Sequence, residues 1–347
     1  SNVGSLDAGI NLLLILEKVM YDYLPKAKNF EDFYDKYISE VRAVVDNVTD
    51  MISLSQKERA LYNPVPMRTL LIDDCIDSET EFYSGGARYQ WSLVNFAGTI
   101  NVIDSLLVIR GTVFGDKAMT ADEFLEKLRE NDEEFLKQCR KNPLSFGTDN
   151  PTVNELTHKL TSEVFSMLDG KKPYLGEAFL PASIQFMSQV YAGEHIGATP
   201  DGRHSREMLG YGVDPLYGDA SNGMGFRVLS AMDLPYGKMN GGYASHFGVD
   251  PNYFKGETLD QKGAEFGERV IAPLFFNKMH KGISPFYLYV NVTTPQTLRK
   301  VLADPKKYAP SGVYIMRIHG TFVNFLDLSP AIQQDIIKRL DPCSASM

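Results

Sequence analysis

Across residues 7–47, apolar side chains return every three or four positions, at Ile10, Leu13, Leu14, Val19, Met20 and Tyr23 and then at Phe33, Tyr37, Val41, Val44 and Val45. That spacing puts them on one stripe of a helix. Pro25 divides the stretch, so the pattern predicts two helices, the second running on toward Met51. Pro64 and Pro66 end the next helical stretch, and residues 68–72 form a short apolar segment that suits a buried strand or a helix start. Residues 94–111, mostly apolar and punctuated by glycine, predict a strand or turn followed by a buried helix carrying Asp104. Residues 121–141 read as one amphipathic, charged helix, and 150–167 as another.

From 193 to 248 the chain is rich in Gly, Asp and Asn, which predicts loops with short helices around them. Phe286–Val292 is the cleanest strand, β-branched and aromatic between Pro285 and Thr293. It leads to a helix over Pro295–Ala303, a short strand over 313–318, a glycine turn at Gly320 and a helix over Pro330–Leu340. Ser329 would cap that last helix, with Pro330 at its first position. The order is mixed α/β, without internal repeats.

The 347 residues, 44% of them hydrophobic, suffice for a substantial core in one large domain or two. A net charge of -9 and the lack of a long basic stripe argue against a nucleic-acid surface. The longest apolar run, 10–16, is too short to cross a bilayer, and no Lys or Arg precedes it as in a secretory leader. The missing initiator Met suits a trimmed or processed start. Three scattered cysteines, Cys75, Cys139 and Cys343, form no CxxC pair, so no disulfide framework and no bound metal is expected, and a cytoplasmic setting fits. Glu79 and Glu81 lie between an apolar segment and the Gly85-Gly86 turn. If Glu81 points inward, it could bind a hydroxyl or transfer a proton. Arg88 and Tyr89 would order that loop or line a cavity.

The segment Arg317-Ile318-His319-Gly320-Thr321, followed by Asp327-Leu328-Ser329-Pro330 and Gln333-Gln334-Asp335, resembles the glycyl radical loop of the pyruvate formate-lyase superfamily. Four further stretches resemble it in the same order. They are Cys75-Ile76 with Gly85-Gly86-Ala87-Arg88-Tyr89, then Ala198-Thr199-Pro200-Asp201-Gly202-Arg203. Residues 210–215 with Asn222-Gly223 follow, and then Val290-Asn291-Val292 with Thr297-Leu298. Together they cover the chain from about residue 65 to its end.

The resemblance implies part of a ten-stranded α/β barrel, its second half with outer helices, divided into a helical and barrel portion at 1–220 and a glycine radical domain at 221–347. It implies catalysis at Gly320, whose Cα radical is installed by a separate radical S-adenosylmethionine activase and is cleaved by oxygen. Glycine suits that role because, without a side chain, both flanking amides can lie coplanar with the radical centre. The family also uses a cysteine loop upstream of these motifs, implying that a preceding half-barrel or a partner chain supplies it. Cys75 stands at the spacing of a different family cysteine. Asp201 and Arg203 resemble a structural turn.

His319 and Thr321 depart from the small residue and Tyr usual beside the glycine, and the stretch from His319 to Phe325, continuing into Leu328-Ser329-Pro330-Ala331-Ile332-Gln333, is more similar to the 4-hydroxyphenylacetate (arylacetate) decarboxylase branch. The expected function is thus the radical-bearing portion of an anaerobic lyase acting on a small carboxylate or phenolic acid. Glu81 and His319 are the substrate-binding candidates, and a homo-oligomer is expected because a half-barrel exposes apolar edges. The alternatives are a formate acetyltransferase-like or dehydratase-type enzyme, or a catalytically silent partner.

Overall fold

The computed structural model describes residues 2–115, 119–184, 188–216, 224–249, 251–276, 286–318 and 321–340. Strand β1 (Asn2–Asn11) runs into helix α1 (Leu12–Tyr23), then α2 (Phe30–Tyr62) and the short α3 (Pro66–Leu70) and α4 (Asp73–Asp77). Next come β2 (Gln90–Ala97), α5 (Thr99–Ile109), α6 (Ala121–Arg129), α7 (Glu133–Arg140), α8 (Pro151–Ser166), β3 (Phe179–Ser183) and α9 (Ser188–Gly193). Helix α10 (Met224–Met232) precedes β4 (Gly242–Val249), and α11 (Leu259–Phe266) and α12 (Ala272–Phe275) precede β5 (Phe286–Val292). The remainder is α13 (Pro295–Ala303), α14 (Pro305–Tyr308), β6 (Ile315–Ile318), β7 (Thr321–Asn324) and α15 (Pro330–Leu340).

Strands β1 to β5 form one parallel sheet in chain order, each pair joined through helices, so the fold is α/β. Alternation along β2 sends Val94 and Phe96 into the main core, where Leu13, Leu16 and Met20 of α1 meet Phe33, Tyr37 and Val41 of α2. Helix α5 is buried along its whole length and lies in the same layer with α8. Leu93 points the other way, into a small separate cluster with Ala182, Ile184 and Ala244. A third cluster, Leu298, Val301, Met316, Phe325, Ile332, Ile336 and Ile337 among its members, gives residues 298–340 a core of their own. The boundary expected at 220/221 lies outside the described residues.

Several expectations need correction. The segment from Asp7, expected to begin a helix, is the end of β1. Pairing of Ser5 to Asn11 with Ser92 to Ala97 holds it extended, and helix starts only at Leu12, where the Asn11 side chain accepts the Leu14 N–H (3.2 Å). The single helix expected over 121–141 is two, because Asn131 turns left-handed (φ 53°) and Asp132 caps α7 by accepting the Phe135 N–H at 2.8 Å. The stretch read as loops contains β4, and β3 was not expected at all. The helices α13 and α15 and strand β5 fall where the pattern placed them.

Candidate functional site

Strands β6 and β7 pair antiparallel, Ile315 with Asn324, Met316 with Val323, Arg317 with Phe322 and Ile318 with Thr321. His319 and Gly320 are the two residues between the last pair, and both lie outside the described residues. The hairpin base is closed by the Asn324 side chain, which accepts the Tyr314 N–H (2.9 Å) and donates to the Gly312 carbonyl (3.1 Å), and by the Phe325 N–H on the Tyr314 carbonyl (2.8 Å). Met316 is buried among α13 and α15. Phe322 and Ile315 on the other face are 71% and 55% exposed, and the Arg317 guanidinium lies 5.6 Å from the Phe322 ring centroid.

Two polar contacts fasten this hairpin to the sheet. The Asn291 amide donates to the Arg317 carbonyl (2.8 Å) and accepts the Arg317 N–H (2.9 Å). The Thr293 and Tyr314 hydroxyls are 2.9 Å apart. A cleft of about 270 Å³, lined by Val290, Asn291, Thr293, Tyr314, Arg317 and Phe322 among others, separates the two elements.

The turn at residues 197–207 is built in the opposite manner. Arg203, fully buried, donates from Nε to Thr199 Oγ1 (3.1 Å), from one terminal nitrogen to the Glu207 carbonyl (2.6 Å) and from the other to the Gly197 carbonyl. Asp201 accepts from Asn101 (2.6 Å) and Ser105 of α5, while Arg140 of α7 reaches the Gly202 carbonyl (2.6 Å) and Glu207 (3.0 Å). From α1, Glu17 accepts the Gly197 N–H at 2.6 Å. Burial pushes the Asp201 carboxyl up, opposed by the Arg203 charge and by hydrogen bonds from Thr199 and Asn101. Burial, with the Asp201 charge behind it, pushes the Cys139 thiol up to about 12. Residues 208–216 continue to Asp214, which is paired with Arg227 (2.7 Å) and bonded to Ser245 at the sheet. A cavity of about 320 Å³ lies between these residues and α15, with Glu194, Arg206, Tyr211 and Gln334 in its wall.

The other sequence candidates are dispersed. The Glu81 carboxylate accepts the Val65 N–H (2.8 Å), the Tyr83 N–H (2.6 Å) and the Thr69 hydroxyl (3.3 Å), so it is occupied in folding its own loop. Glu79 is exposed at φ 48°. Cys75 is 1% exposed and packs with Phe82 and Ala87, an inert setting. Arg88 pairs with Asp74 at 2.9 Å, and Tyr89 stacks on Trp91 at 6.0 Å. Asn222, Gly223 and Cys343 lie outside the described residues. Among the described residues no group of three His, Cys, Asp or Glu could hold a metal, and no helix is long and apolar enough to cross a membrane. The clasp made by Asn291 was missed although its motif was noted; the signal was an Asn inside a β-branched strand, a residue strands usually avoid.

A parallel α/β sheet with helices between its strands is an architecture of the glycyl radical enzyme type. The comparisons with known proteins agree: this chain belongs to the pyruvate formate lyase-like family, whose model matches residues 14–193. It is 23% identical to trans-4-hydroxy-L-proline dehydratase of Clostridioides difficile, over 90% of this chain and 38% of that protein. It is 26% identical to isethionate sulfite-lyase of Bilophila wadsworthia, over 90% of this chain and 37% of that protein. The chain thus spans well under half the length of these relatives. Among solved structures, one on 1,2-propanediol dehydration in Roseburia inulinivorans superposes with a TM-score of 0.83 at 25% identity, covering 95% of this chain and 43% of that one. The glycerol-bound B12-independent glycerol dehydratase of Clostridium butyricum gives 0.82 at 25% identity, covering 95% and 42%.

Proposed function

We propose that this chain is the radical-bearing portion of a dehydratase-type glycyl radical lyase, with Gly320 as the radical site. The observation that carries the reading is the hairpin of β6 and β7, with Gly320 at its two-residue link, in a chain similar over nine-tenths of its length to a dehydratase and a sulfite-lyase. The relatives favour dehydration, the alternative reading of the sequence, over arylacetate decarboxylation. They are named for small hydroxylated compounds, hydroxyproline, isethionate and sulfopropanediol. The substrate class proposed here is a small hydroxylated acid or polyol that loses water or sulfite, a net elimination needing no external oxidant.

The stored radical would supply the hydrogen-abstracting equivalent, passed through a thiol of the family's cysteine loop. The residues of this chain would hold the glycine: Met316 seats the hairpin on α13 and α15, and Asn324 closes its base. Further parts of the proposal are a radical S-adenosylmethionine activase as partner, a homo-oligomer and a cytoplasmic, anaerobic setting. Glu81 and His319 stay in it as candidates for substrate binding.

The test is anaerobic incubation of the complete polypeptide containing this sequence with its activase. A glycyl doublet in electron paramagnetic resonance is expected, absent in Gly320→Ala, with backbone cleavage at residue 320 after air is admitted. A panel of diols, hydroxyproline, isethionate and 4-hydroxyphenylacetate then separates dehydration, sulfite release and decarboxylation. A doublet that survives in Gly320→Ala would remove Gly320, and turnover of 4-hydroxyphenylacetate alone would restore the decarboxylase.

A further inference from the structure

The Phe325 N–H on the Tyr314 carbonyl makes those two a hydrogen-bonded pair, and alternation up the ladder makes Ile318 with Thr321 another. The next pair, Arg317 with Phe322, is then non-hydrogen-bonded, so the N–H and C=O of Arg317 point outward from the free edge of β6. Such an edge normally meets another strand or water. Here the amide of Asn291 meets both groups, at 2.9 and 2.8 Å, one acceptor and one donor spaced like those of a peptide unit. One side chain therefore stands in for one residue of ladder, while the backbone of Asn291 keeps its place in β5, opposite Gly248 of β4.

Among the described residues of β5 and of the hairpin, apolar packing beside this attachment is slight. Val292 of β5 is 67% exposed and Phe322 of β7 71%, and Met316 seats the hairpin on α13 and α15 rather than on the sheet. Thr293 and Tyr314 touch lower on the hairpin, beside its base. Arg317 is three residues before Gly320, so a shift at Arg317 is carried along the strand to the turn.

We propose that Asn291 is a positioning residue: by clasping the main chain of Arg317 it sets where the turn between Ile318 and Thr321 stands against β5, and so where Gly320 meets its hydrogen donor. The inference rests on the Gly320 reading above. A misplacement of about 1 Å at a reacting centre costs on the order of a hundredfold in rate. Loss of the clasp should therefore act on turnover far more than on folding.

The experiment compares wild type, Asn291→Ala and Asn291→Gln in the complete polypeptide, activated anaerobically. Spins per chain are counted by electron paramagnetic resonance, turnover is normalised per spin, and backbone amide exchange is followed at Arg317. Normalising per spin removes misfolded chains, which carry no radical. Asn291→Ala is expected to lose roughly tenfold to a hundredfold in turnover per spin and to exchange the Arg317 amide roughly tenfold faster. Asn291→Gln, which keeps both amide groups on a longer arm, should recover part of each. Turnover per spin within about twofold of wild type in Asn291→Ala, or an unchanged Arg317 amide, would overturn the proposal. A wild type without a doublet would remove the Gly320 reading and, with it, the role assigned to Asn291. An Arg317 amide protected by Asn291 in that case would be a clasp with no radical to place, which also overturns the role assigned here.

Discussion

The turn at residues 197–207 and the hairpin at residues 315–324 both carry motifs of the family, yet one is buried and held from three helices while the other is half-exposed and held by a few polar contacts. Around the first, Glu17, Asn101, Ser105 and Arg140 arrive from α1, α5 and α7, and the guanidinium of Arg203 is entirely inside. Around the second, Asn291, Thr293 and Asn324 supply the polar fastening and Met316 most of the burial. The difference separates scaffold from instrument. A buried polar turn makes sense only if it never moves, because each of its groups would be costly to leave unpaired. On the function proposed above, a turn that an activase would have to reach is better held by contacts that can be remade.

Substitutions can break or sharpen this contrast. The largest loss is expected from Arg203→Met, which strands the Gly197 and Glu207 carbonyls and the Thr199 hydroxyl in the interior. Denaturant titration should show about 3–5 kcal/mol, or no soluble protein. Gly202→Ala comes next: φ is +88° there, and a Cβ would sit 2.3 Å from Arg140 Cγ and 2.8 Å from the Leu136 carbonyl. Its cost should be about 2–4 kcal/mol.

Asp201→Asn probes the charge of the same turn. Burial raises the Asp201 pKa, so its contribution to stability is fully present below the ordinary carboxylate range and declines as pH climbs through the raised value. The variant removes that decline. Melting temperatures at pH 4 and pH 7 should therefore move in favour of Asp201→Asn, relative to wild type, as pH rises, and an unchanged difference would count against a raised pKa.

On the hairpin side, Gly312→Ala meets φ +75° but open space, so about 1 kcal/mol of backbone strain is all that is expected. A loss matching that of Gly202→Ala would erase the contrast. Phe322→Ser, at a side chain 71% exposed, should change stability by less than about 0.5 kcal/mol in the same titration.

Legibility followed local chemistry. Strand β5 and the helices α13 and α15 were readable because β-branched runs, Pro at the first helical turn and Ser or Thr caps all point the same way. Strand β1 was not, since its residues include two glycines and an aspartate and only pairing with β2 keeps it extended. Strand β3 contains Pro181, which local rules penalise, and its pairing with β2 and β4 outweighs that penalty. At the site, the motif order exposed the turn of Asp201 and Arg203 and the hairpin of Gly320. The two bonds of Asn291 were invisible, because they join residues 26 positions apart and depend on which way an edge faces.

The sheet places its strands in the order in which the ribosome delivers them. Each strand can dock on a neighbour already made, so the platform needs no late threading. The hairpin of β6 and β7 emerges after all five strands of the sheet. Synthesis itself thus completes the sheet before the hairpin that is fastened to it.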